Sequence, residues 1–150
     1  MVQVTVGRRN IGHAELIRDG KIVEVREFGN SVPTIGFQLL CKATGGDVAG
    51  AGTPGAKYIA IGTGVAAPAA ANTALGGELA RGLGSFAFPT GSAYYTMQKN
   101  FPAGTGTGAV TESGCLNKTA AGALLNRGTF AVINKGASDT LRMTWKIQFS

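Results

Sequence analysis

The chain has 150 residues, 44% of them hydrophobic, which fits one globular domain and excludes disorder as the default state. Glycine is the outlier at 24 residues, against an average near ~7%, but it follows no collagen-like period. Only 15% of residues are charged, and the net charge of +6 is scattered singly apart from Arg8-Arg9. No helix-turn-helix, zinc-finger or ribonucleoprotein pattern accompanies it, so specific nucleic-acid binding is not expected.

Residues 1–10 alternate, with Val2, Val4 and Val6 against Gln3 and Thr5, as a short strand or an extended N-terminal arm would. Residues 11–28 carry the best hairpin signal. Asp19-Gly20 sits between two strand-like runs, as a type I′ turn requires. Counting outward from that turn pairs Ile17 with Ile22, Leu16 with Val23, Glu15 with Glu24 and Ala14 with Val25. Ala14, Leu16, Val23 and Val25 are then expected in the core. Residues 33–43 are the one expected helix, with Ser31 as its cap, Pro33 near its first turn and Gly36 weakening it.

Residues 44–56 read as a Gly-rich loop and 57–61 as a strand. Residues 62–82 read as an irregular Ala/Gly/Pro segment, with a helical turn expected between Thr73 and Ala80. One or two strands follow over 83–101, then a turn at 102–108. Strands are expected at 109–117, bulged at Gly114, and at 122–133. The final segment alternates Leu141, Met143, Trp145, Ile147 and Phe149 with polar residues, as a central strand with one buried face does. Some seven or eight strands separated by glycine turns give an all-β chain. The expected fold is an antiparallel β-sandwich, jelly-roll or Ig-like, with one short helix after an N-terminal hairpin. It forms a single domain over 1–150, with 1–10 as the arm.

Catalysis needs titratable or nucleophilic groups brought together, and the chain offers few. There is one histidine, His13, on the hairpin beside Glu15. Glu15 and Glu24 are expected to face each other, but an exposed, solvent-screened pair explains them better than a glycosidase dyad. Cys41 and Cys115 have no CxxC context and no zinc-ligand spacing around them, and both thiols are expected reduced and buried. Gly62-Thr63-Gly64 follows a strand but lacks the third glycine and the long helix of a dinucleotide site. No enzyme activity, metal or cofactor is expected. With no apolar run of about 18 residues and no leader-like start, no membrane contact is expected.

Two stretches resemble small virion proteins of tailed bacteriophages, of the capsid cement or decoration type. One is residues 58–80, YIAIGTGVAAPAAANTALGGELA. The other is residues 100–149, with NFPAGTGTGAVTESGCLN, GALLNRGTFAVINKGASDTL and the closing MTWKIQF. The hairpin followed by SVPTIGFQLL is similar as well. The resemblance implies a β-sandwich that decorates a particle, and it carries no catalytic residues. The expected function is a non-enzymatic cement protein on the capsid surface, assembled in the host cytoplasm. It would bind and stabilise the lattice of the major capsid protein as a homo-oligomer, a trimer ahead of a dimer. The alternatives are a tail, collar or fibre-attachment subunit, and then a carbohydrate-binding sandwich using Tyr58, Tyr94 or Tyr95. The weakly charged 44–56 and 62–77 segments are expected to touch partner subunits through Gly50, Pro54, Ala67 and Pro68. Arg8 and Arg9 are expected to meet acidic groups on a neighbour.

Overall fold

The computed structural model describes residues 11–45 and 55–148. Among them run β1 (Ile11–Arg18), β2 (Lys21–Gly29), α1 (Thr34–Gly45), β3 (Tyr58–Gly62), β4 (Glu78–Leu83), β5 (Ser85–Ala87), β6 (Tyr94–Phe101), β7 (Gly108–Leu116), β8 (Leu124–Lys135) and β9 (Thr140–Gln148). The strands form two antiparallel sheets, β2-β1-β9-β6-β5 and β4-β3-β7-β8, and the protein is an all-β sandwich with one short helix.

The β9 strand lies at the centre of the five-stranded sheet because one of its faces is wholly apolar. Leu141, Met143, Trp145 and Ile147 are buried, and the residues between them are half-buried. Phe149 and the arm at 1–10 lie outside the described residues. Trp145 packs edge-on against Phe28, with ring centroids 5.2 Å apart. Its Nε1–H donates to Ser113 Oγ across the sandwich, and Ser113 in turn donates to the Ala60 carbonyl. The indole is therefore buried without orphaning its polar atom.

The hairpin turn forms at Asp19 and Gly20, both with positive φ, as type I′ requires. Its register departs from the simple count. Ile17 pairs with Ile22, but Leu16 pairs with Glu24, so a bulge absorbs Val23. Beyond the bulge the faces of β2 are exchanged. Val23 and Val25 stay 49% and 45% exposed instead of entering the core, and Phe28 takes the inward place opposite Gly12. Glu15 now stands opposite Val25 and Glu24 opposite Leu16, so the two carboxylates point to opposite faces and form no pair.

The helix starts at Thr34, where the Pro33 carbonyl accepts the Phe37 N–H. Ser31 does not cap it; its backbone exchanges two hydrogen bonds with Arg127. Gly36 rests on the backbone carbonyls of Leu124 and Leu125, a closeness that any side chain would block. Leu39 is buried beneath the helix, and Cys41, about 200° further round, is exposed rather than buried. The expected helical turn at 73–80 gives way to β4, whose Ala80 to Leu83 pair with Ile61 to Tyr58. Gly114 stays in regular register with Ala60 and Arg127. The β7 bulges fall on either side of it, and its missing side chain makes room for Leu75 and Leu124.

Candidate functional site

Leu75 belongs to the loop from 62 to 77, which packs onto a second, smaller core. Ala60, Leu116, Leu124 and Ile35 complete that core. One buried carboxylate holds the loop in place. Glu112 is fully buried on β7. Its Oε1 accepts the N–H groups of Gly64 and Gly77, each at 2.8 Å. Its Oε2 accepts the Gly76 N–H at 3.0 Å and Arg127 Nε at 2.7 Å. Arg127, on the neighbouring β8 and also buried, reaches on to Asn72 Oδ1 at 3.1 Å, and Asn72 Oδ1 accepts the Ala69 N–H. Thr111 Oγ1 donates to the Gly64 carbonyl and Thr34 N–H to the Ala70 carbonyl. Both ends and the middle of the loop are thus tied to the sandwich.

Glycine is required where the loop meets the carboxylate. A Cβ at Gly62 would lie 2.6 Å from Glu112 Oε1, and one at Gly64 only 2.5 Å away. Burial by itself would push the Glu112 carboxyl up. The hydrogen bonds from Gly76, Gly77, Arg127 and Gly64 together outweigh it and hold the group below the ordinary glutamate range.

The outer surface of the loop is apolar or small and carries no charge. Val65 is 80% exposed, and Ala66, Ala67, Ala69, Ala70, Ala71 and Ala74 are exposed with it. Pro68 is half-buried and lines an open cleft with Gly29, Asn30, Ser31 and Thr129. The structure therefore places Ala67 and Pro68 on one fixed loop. Arg8, Arg9, Gly50 and Pro54 lie outside the described residues.

Other buried titratable groups hold the scaffold together. Asp139 is buried and takes both Arg18 Nε and Nη2 at 2.9 Å; this hydrogen-bonded pairing, with the Gly136 N–H, lowers its carboxyl to about 2. Lys135 is buried with its Nζ on the Pro102 carbonyl. Burial holds the Cys115 thiol protonated far above its usual range, which makes it a poor nucleophile. His13 and Arg142 flank Glu15 at 3.8 and 3.2 Å on the outer face of the larger sheet. Tyr58, Tyr94 and Tyr95 are all half-buried and form no common exposed platform. Among the described residues no three His, Cys, Asp or Glu side chains gather to hold a metal, and no helix is long and apolar enough to cross a membrane.

Sequence reasoning missed Glu112 and Arg127 as partners. The available signal was a lone charge inside each of two otherwise uncharged strand runs, VTESGCL and LLNRGTF. Comparison with family models, curated proteins and solved structures gave no match.

Proposed function

We propose that this chain is a non-enzymatic structural protein of a tailed-phage virion, a cement or decoration protein that binds the major capsid protein lattice and clamps neighbouring subunits. The observation that supports this reading best is the pinned 62–77 loop, an uncharged run of small side chains held rigid by Glu112 and Arg127. Such a surface loses little side-chain entropy and desolvates no charge when it lies against another protein. Its backbone order is in place before binding, which lowers the cost of association. A homo-oligomer, a trimer first, would multiply weak single contacts into firm attachment. Binding only the assembled lattice would then stabilise it by mass action.

The test is co-sedimentation of the purified protein with capsids that lack it. Wild-type protein is expected in the capsid pellet. The double variant Ala67→Glu/Ala71→Glu, folded as judged by an unchanged melting curve, is expected to stay in the supernatant. A variant that pellets as well as wild type would refute the loop's role. Wild-type protein that pellets with purified tails and not with capsids would move the protein to the tail.

A further inference from the structure

Sheet edges are where a sandwich can take up another strand, and the two sides of this molecule are finished differently. On one side β2 and β8 close on each other. Arg26 donates to the Ala131 and Val132 carbonyls at 3.2 and 3.3 Å, Ser31 and Arg127 exchange backbone hydrogen bonds, and the bulge interrupts β2. On the other side both edges belong to one continuous stretch. There β4 passes through Gly84 into β5, and each strand is paired on one flank only, β4 with β3 and β5 with β6.

Large apolar side chains lie exposed along this stretch: Leu79 at 39%, Leu83 at 58%, Phe86 at 38% and Phe88, just beyond β5, at 72%. The rings of Phe86, Phe88 and Tyr95 gather with centroids 5.5 to 6.2 Å apart. The stretch carries no net charge of its own. Arg81 pairs with Glu78 at 2.6 Å and donates to the Lys118 and Ala121 carbonyls. A lysine of the neighbouring strand lies at this seam. Lys99 reaches from β6 across the seam to lie flat on Gly82 of β4, where a Cβ would come 2.9 Å from its Nζ. Among the described residues Lys99 forms no ion pair.

We propose that the β4–β5 edge is a strand-addition site for an extended segment of a partner protein, apolar in character and bearing a carboxylate that meets Lys99. Main-chain pairing along the open edge would supply affinity, and the aromatic cluster and Lys99 would supply specificity. Charge favours an acidic partner over a second copy of this chain: the one carboxylate on this edge, Glu78, is held by Arg81, and the protein already stands at +6. The identity of the partner as a lattice subunit rests on the function proposed above; the edge itself does not.

The experiment therefore uses the isolated protein and no capsid, so that its outcome is independent of co-sedimentation. Two synthetic peptides of about eight residues are titrated against it, alternating Val/Phe with Glu in one and with Lys in the other. Backbone amide signals are followed by NMR. The Glu peptide is expected to shift and protect amides of Glu78–Leu83 and Ser85–Ala87. Lys99→Gln is expected to weaken it about tenfold, and Phe88→Ser to weaken it as well, with melting curves unchanged for both. Three results would each overturn the proposal. They are no shift with either peptide, equal binding of the Lys peptide, and edge shifts that grow with protein concentration alone.

Discussion

Replacing Glu112 with glutamine keeps the shape of the side chain and removes the charge around which the 62–77 loop is folded. The carboxylate accepts four hydrogen bonds, and the amide oxygen of glutamine can retain those from Gly64 and Gly77. The amide NH2 then faces the Gly76 N–H and Arg127 Nε–H, donor against donor, and the Arg127 guanidinium is left buried with its charge unmatched. Two lost charge-assisted bonds at ~1.5–3 kcal/mol each, and the ~3–5 kcal/mol typical of breaking a buried pair, point to the same range. A loss of ~3–5 kcal/mol in a domain of this size lowers Tm by roughly 6–20 °C. Urea unfolding measures the loss, and amide exchange at Gly64, Gly76 and Gly77 should quicken before global unfolding does. The double variant Glu112→Leu/Arg127→Met removes both charges and should recover much of the stability, giving a large coupling in the double-mutant cycle. A Glu112→Gln loss below about 1 kcal/mol with unchanged loop exchange would refute the argument that the carboxylate pins the loop.

Trp145→Ala should cost ~3–5 kcal/mol in urea unfolding, since it empties the centre of the core, and wild-type fluorescence should be that of a buried indole. Acid should unfold the protein through its depressed carboxyls. The folded-state pKa values of Asp139 and Glu112 lie below their unfolded values, so their stabilisation is full above about pH 4–5 and is lost as pH falls, for Asp139 as pH approaches about 2. A melting-temperature series over that window should show the fall, and Asp139→Asn should flatten it. Thiol labelling of the native protein should modify Cys41 rapidly and Cys115 only after unfolding.

Much of the fold was legible because it rests on local signals. The alternation of residues 141–147 marks a central strand, and Asp19-Gly20 fixes a turn that only positive-φ residues enter readily. The bulge at Val23 was not legible. Nothing in a Val-rich run says which residue the partner strand will skip, and a single skipped residue moved two valines out of the core. The helical expectation at 73–80 failed for a tertiary reason, since Ala80 is claimed by pairing with Ile61. The 62–77 loop was visible as a weakly charged surface segment, but its anchor was not. Glu112 and Arg127 sit 15 residues apart on strands whose register brings them together, and sequence spacing alone does not reveal that register. The open edge at β4–β5 was hidden for the same reason, because it depends on how two sheets share one stretch of chain.

A three-dimensional reconstruction of intact virions from cells producing this chain would locate the sandwich directly. Density for the sandwich is expected on the outer surface of the capsid shell, with the 62–77 loop turned against the major capsid protein. Density for the sandwich in the tail alone would contradict the assignment to the capsid, and particles without the chain would contradict a virion role altogether.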